Sequence, residues 1–286
     1  MSSPFKIALV QNRAGTEMAA NIDACEALVR EASRRGAELV CLPELFSCFD
    51  VRGRTLEAGA FAEASHPALA RFRDVARELR VWIQLGSLAV RLPSGRQRNR
   101  ALMLDERGEI VASYDKVHMF DVDLADGERY RESESFECGD RAVLADTPWG
   151  RVGMTVCYDL RFAYLYRMLA QAGASYLTVP AAFMRTTGQA HWHVLLRARA
   201  IETGCYVFAA CQWGRHGDAV TYGHSLVVDP WGEVIAEAGA EEECVLVAEV
   251  DPARVITARA RIPALEHDRP VAPPETGADA PRRASA

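Results

Sequence analysis

A thiol, a carboxylate and an ammonium group each stand at the end of a short apolar run in this chain, and together they have the makings of a covalent catalyst. Cys157 lies in residues 151–162 (RVGMTVCYDLRF), which begin as a buried strand and end where a helical pattern starts. A thiol at such a turn is carried on rigid backbone. It faces the first N–H groups of the next segment, which stabilise a thiolate or an oxyanion. Glu44 follows the run 38–43 (ELVCLP), and Lys116 follows the strand pattern 110–114. A nucleophilic thiol needs a base, for which Glu44 is a candidate. Acyl transfer needs a positive donor where the oxyanion develops, for which Lys116 is a candidate. Burial discharges a lysine unless carboxylates hold the proton on it, and the acidic stretch 120–139 offers Glu132. Position alone leaves a second reading open for each: Glu44 as a surface or capping residue, Cys157 as a small apolar core residue.

Periodicity outlines the elements that must position these groups. Residues 7–11, 38–43, 81–85, 89–92, 176–180, 206–211 and 244–250 read as short apolar strands. Helical spacing marks 18–34, 67–80, 165–172 and 190–202, with Gly36, Gly173 and Gly204 at stops, and 252–261 with Pro252 in its first turn. Hairpins are predicted for 99–104 with 110–114, 142–147 with 151–156, and 223–228 with 234–238. Residues 55–65 read as loop or weak helix. The stretch 120–139 reads as a long acidic loop, of a kind that is usually functional. Strands alternating with helices predict one α/β domain over residues 1–262, with helices outside a core of sheets. Residues 263–286, rich in Pro, Ala and Arg, are expected to form a C-terminal arm that is partly disordered.

Composition narrows the partners. The net charge of −6 over 286 residues argues against nucleic acid and anionic membrane surfaces. No apolar run approaches the ~20 residues of a membrane helix. Eight cysteines without a C-x-x-C pair, and no signal peptide, predict a reducing, cytoplasmic setting. His191-Trp192-His193 invites a metal reading, but residues two apart on a helix point to different faces, so no metal is assigned. His118, His216 and His224 lack the surroundings of a papain-type Cys-His pair.

Three separated motifs carry a family resemblance. Leu42-Pro43-Glu44, Tyr114-Asp115-Lys116-Val117-His118 and residues 153–162 (GMTVCYDLRF) occur in the order seen in the nitrilase superfamily of carbon–nitrogen hydrolases, and the chain is similar to that family over residues 6–263. Glu132, with Phe136 and Gly139, resembles the family's second glutamate. The resemblance implies a four-layer α-β-β-α sandwich, a homodimer or higher homo-oligomer with the C-terminal arm reaching across, and no cofactor. It implies a Glu44–Lys116–Cys157 triad acting on a small-molecule amide, with the backbone N–H of Tyr158 at the oxyanion and Glu132 in support. Residues 170–180, 188–202 and 212–232 are similar to the deaminated glutathione amidases, whose relatives the ω-amidases act on 2-oxoglutaramate. A non-catalytic binding protein of the same fold is the reading from another class. Arg185 and Arg215 are candidates for binding substrate carboxylates, with solvent exposure as the alternative, and Arg161 is expected in a structural ion pair. The family continues Pro-Glu-Leu after the nucleophile segment, where this chain has Ala163-Tyr164-Leu165.

Overall fold

The computed structural model describes residues 3–53, 55–124 and 129–274. The first half runs β1 (Phe5–Gln11), α1 (Met18–Arg34), β2 (Leu39–Cys41), β3 (Asp50–Arg52), β4 (Thr55–Glu57), α2 (Pro67–Leu79), β5 (Trp82–Gln84), β6 (Leu88–Arg91), β7 (Gln97–Leu104) and β8 (Ile110–Asp115). Then come β9 (Asp121–Asp123), β10 (Arg129–Arg131), α3 (Glu132–Ser135), β11 (Val143–Thr147), β12 (Gly150–Met154), α4 (Ala163–Gln171), β13 (Ala174–Thr178) and α5 (Arg185–Thr203). The chain closes with β14 (Tyr206–Ala209), β15 (Trp213–His216), β16 (Ala219–Tyr222), β17 (Leu226–Val228), β18 (Val234–Glu237), β19 (Cys244–Val250) and α6 (Ala253–Arg261).

Two sheets form the middle of a sandwich. One has the order β19-β1-β2-β5-β7-β6, with β8 added on β7; the other has the order β11-β12-β13-β14-β17-β18. In β1, Ile7 and Leu9 pack into a core shared with Val152, Met154 and Leu177 of the second sheet. Its alternate residues Ala8 and Val10 pack with Ile22 and Val29 of α1 and Phe72 of α2. A strand covered on both faces must be apolar at every position, which is why 7–10 reads as a continuous run rather than an alternation. On the far side of the second sheet, α4 and α5 bury Leu165, Leu169, Leu196 and Ala200. The result is the α-β-β-α layering.

Several stretches are more regular than their sequence suggests. Within 55–65, β4 pairs with β3, and a 3₁₀ turn occupies Glu63–Ser65. The acidic stretch 120–139 contains the β9–β10 hairpin and α3. Residues 213–222, not assigned from sequence, form the β15–β16 hairpin. The helix expected from 190 starts at Arg185. Gly188 lowered the helical signal there, yet it sits within α5 because a Cβ would come 2.4 Å from the Tyr222 ring.

Beyond α6, the chain lies along α4. Arg167 donates to the Ala264 carbonyl at 2.9 Å and pairs with Asp268, and Gln171 also contacts Asp268. The part of the expected arm from 275 to 286 lies outside the described residues. Among the described residues, no helix is long and apolar enough to cross a membrane.

Candidate active site

Glu44, Lys116, Glu132 and Cys157 meet at the polar end of one pocket. The chain reaches this point from both sheets. Glu44 comes three residues after β2, Lys116 immediately after β8, and Glu132 opens α3. Cys157 comes three residues after β12, at the first position of a 3₁₀ turn spanning Cys157–Arg161.

The two carboxylates clamp the lysine. Lys116 Nζ donates to Glu44 Oε1 at 2.8 Å and to both oxygens of Glu132 at 2.9 and 2.7 Å. All three side chains are buried. Burial alone would discharge the lysine, but Glu132 and Glu44 outweigh it and hold its pKa well above the ordinary lysine value. Burial pushes both carboxyls up. In Glu44 the Lys116 charge and the N–H of Ala182 overcome that push, so its pKa falls below the usual range. In Glu132 burial prevails, aided by the Glu44 charge, and the pKa rises. Two like charges sharing one cation are thereby driven apart in acidity.

Backbone contacts fix this cluster. Ala182 N–H donates to Glu44 Oε2 at 2.9 Å, and Phe120 N–H donates to Glu132 Oε2 at 2.7 Å. Gly139 N–H donates to the Lys116 carbonyl at 2.8 Å. A Cβ at Gly139 would stand 2.2 Å from the Asp115 carbonyl, so only glycine lets the loop close this tightly on the lysine strand. Asn99, on β7 and fully buried, donates its amide to Glu44 Oε1 at 2.8 Å and to Glu132 Oε1 at 3.0 Å. Sequence reading missed Asn99. The available signal is a polar residue at an inward position of a strand whose neighbours Arg98 and Arg100 point outward to Asp115.

Cys157 has φ +45°, in the left-handed region that few non-glycine residues adopt. Its N–H donates to the Pro180 carbonyl at 2.9 Å. Such strain persists only where the surroundings over-determine it, and here Asp159 does so. This carboxylate is fully buried and accepts the Val156 N–H at 2.9 Å, the Tyr114 hydroxyl at 2.7 Å and the His118 N–H at 3.1 Å. The His118 ring meets it through Nδ1 at 2.6 Å. Asp159 was not a sequence candidate. The His118 ring is also stacked on Phe162, 3.5 Å between centroids, and its Nε2 meets the Tyr164 hydroxyl at 2.6 Å. The ring is therefore committed to the turn and does not act as the partner of the thiol. Tyr164, where the chain leaves the family pattern, makes this structural contact and does not line the pocket. The thiol itself is pushed well above its ordinary pKa by burial and by the Glu44 charge, against the opposing pull of Lys116.

The rest of the pocket is apolar and aromatic, including Leu45, Phe49, Phe120, Tyr130, Tyr158 and Phe183. The arginines expected to bind substrate lie elsewhere. Arg185 faces outward at the start of α5 and pairs with Glu241 at 3.1 Å. Arg215 projects from β15 into a separate depression with Arg13, Arg52 and Asp50. Neither lines the pocket that holds Cys157; the hairpin and the helix start that carry them turn their side chains away. Arg161 makes no ion pair among the described residues. Its guanidinium sits 5.6 Å from the Tyr158 ring and 5.3 Å from the Phe183 ring, and it contacts His191 at 3.2 Å. The pocket arginine is Arg131, which pairs with Asp123. His216 is buried, and its ring nitrogens meet the Ala14 carbonyl and Thr221 Oγ1.

A two-sheet α/β sandwich with a buried carboxylate–lysine cluster beside a strained cysteine defines the class of protein. A profile of the carbon-nitrogen hydrolases matches residues 6–260, and the chain belongs to that family. It is 40% identical over 267 residues to the deaminated glutathione amidase of Yersinia enterocolitica, covering 92% of each chain. Among solved structures it resembles the NitFhit protein of C. elegans, with a TM-score of 0.85 at 34% identity; the match covers 94% of this chain and 66% of that longer one. It also resembles a mutant amidase from Nesterenkonia sp., with a TM-score of 0.79 at 28% identity, covering 94% and 95% of the two chains. That crystal carries the acetamide moiety of fluoroacetamide covalently added at the active-site cysteine.

Proposed function

We propose that this chain hydrolyses deaminated glutathione at its amide bond, releasing 2-oxoglutarate and cysteinylglycine through a thioester on Cys157. The observation that carries this reading is the convergence of Glu44, Lys116 and Cys157 at the end of a pocket walled by apolar and aromatic side chains. Relatives that share about two residues in five with the chain bear that activity in their names.

Glu44 takes the proton from Cys157 Sγ as the sulfur attacks the amide carbonyl carbon. Lys116 Nζ and the backbone N–H of Tyr158 hold the resulting oxyanion. Collapse breaks the C–N bond, and Glu44 returns the proton to the departing amine. A water then gives a proton to Glu44 and attacks the thioester, and the acid leaves with Sγ reprotonated. Glu132 and Asn99 keep Lys116 and Glu44 in register. The elevated thiol pKa supports a resting thiol whose proton moves only as the attack proceeds. Arg131 is the cation suited to a substrate carboxylate in the pocket. Arg161 steadies the Tyr158–Phe183 wall.

The same reading includes a homodimer. Tyr164 and Met168 of α4 and Val194 and Ile201 of α5 are all more than half exposed, an apolar outer face that a second copy would cover. The domain is taken as residues 1–262, with the arm following it. Eight unpaired cysteines suit a reducing, cytoplasmic setting.

The test compares deaminated glutathione with 2-oxoglutaramate, following 2-oxoglutarate release. The wild-type chain is expected to give the larger kcat/KM on deaminated glutathione, and Cys157→Ala to lose on the order of 10⁴–10⁶ in kcat. A preference for 2-oxoglutaramate would overturn the substrate, and unchanged turnover by Cys157→Ala would overturn the mechanism.

A further inference from the structure

Away from the pocket, three side chains from three separate elements converge on one point. His193 lies in the middle of α5, Glu237 ends β18, and His224 lies two residues before β17. His193 Nε2 stands 2.9 Å from Glu237 Oε1, and His224 Nδ1 stands 2.7 Å from the same oxygen. The three potential ligand atoms all lie within 4.8 Å of one another. Glu237 Oε2 has no hydrogen-bond partner among the described residues.

The backbone behind them is fixed. β17 and β18 pair Leu226 with Glu237, which sets His224 and Glu237 side by side at the open end of a hairpin. His224 has φ +51°, a left-handed conformation uncommon for a residue with a side chain. Its carbonyl accepts the indole N–H of Trp192 at 2.9 Å, so it is tied directly to the residue beside His193. The Tyr222 ring lies against the His224 ring, with centroids 4.4 Å apart. The three side chains themselves are a quarter to a third exposed, so solvent reaches the point where they converge.

We propose that His193, His224 and Glu237 form a surface binding site for a divalent transition-metal ion of the zinc type, with an open fourth position for water. Two imidazole nitrogens and one carboxylate oxygen are the donors that zinc, cobalt or nickel prefer over magnesium or calcium. Zinc bound at ~2.0–2.1 Å in tetrahedral geometry holds its ligand atoms roughly 3.3 Å apart. The shorter contacts here would open by about half an ångström, within reach of side-chain torsions alone. His193 and His224 would each ligate through the nitrogen now facing Glu237 and carry the remaining proton on the other ring nitrogen. His191, two residues before His193 on the helix, takes no part, because its ring turns to Arg161. The second and third ligands come from the β17–β18 hairpin. The ion would join α5 to that hairpin. None of its ligands lines the pocket of Cys157, so the site is a structural staple separate from the chemistry.

The test uses full-length Cys157→Ala protein, which removes the pocket thiol as a competing ligand, after treatment with a chelator. Titration with Co²⁺ is expected to give one equivalent of visible d–d absorption without a thiolate-to-cobalt band. Zn²⁺ is expected to displace the cobalt and raise the thermal midpoint. His193→Gln and Glu237→Gln, made separately in that background, are expected to weaken Zn²⁺ binding at least about tenfold, with the metal-free midpoint of His193→Gln unchanged. No cobalt absorption, a thiolate band, or full Zn²⁺ affinity in both variants would overturn the site.

Discussion

Glu44 and Asp159 are both buried carboxylates near Cys157, and their partners differ in kind. Glu44 shares a mobile charge with Lys116 and Glu132, and all three line the pocket. Asp159 is enclosed by the Val156 N–H, the His118 N–H and ring, and the Tyr114 hydroxyl, and does not reach the pocket. Burial and the Asp159 charge push the Tyr114 phenol far above its ordinary pKa, so it stays a donor. One cluster keeps its charges at the wall of the pocket. The other spends every acceptor on holding a strained turn. Two acids of similar burial thus divide the work between chemistry and position, and only their partners tell them apart.

Removing the enclosed acid is expected to have the larger effect on folding. Asp159→Ala leaves two backbone N–H groups, a hydroxyl and an imidazole without their acceptor, at a cost of about 3–5 kcal/mol in denaturant-derived stability. A loss below ~1 kcal/mol would mean that the turn holds itself. The next effect falls on turnover. Glu132→Gln keeps the shape but removes the charge that secures Lys116, and kcat is expected to fall about 10²–10³-fold with a smaller change in KM. A variant that lost KM alone would make Glu132 a substrate contact. The smallest change is expected from Tyr164→Phe, which deletes one half-exposed hydrogen bond to His118. Stability should drop by about 1 kcal/mol or less, with turnover within roughly threefold of the parent. A large loss of turnover would draw Tyr164 and His118 into the chemistry.

Much of this division could be read from the chain alone. The limits of α1 and β19 follow directly from periodicity, because each has a regular pattern ended by a turn signal. That Glu44, Lys116 and Cys157 would meet was legible because each follows a strand, and strand ends gather on one rim of a sheet. Asn99 and Asp159 were not legible. Which face of β7 turns inward depends on how the two sheets meet, and the role of Asp159 depends on Tyr114 and His118, which are more than forty residues distant. The position of the arginines off the pocket was illegible for a related reason. Arg185 and Arg215 have the right charge, but the direction of a side chain is set by the helix start and hairpin that carry it, and both were placed wrongly or left out.

The bond from Ala182 N–H to Glu44 Oε2 crosses 138 residues of sequence and joins the two sheets. Neither sheet can form it alone. Glu44 thus acquires its full set of partners only when the halves of the sandwich have docked, a late event in a topology built on distant contacts. In a refolding experiment, regained turnover would time the meeting of the sheets rather than the growth of either one, making the proposed role of Glu44 a built-in clock for the last stage of assembly.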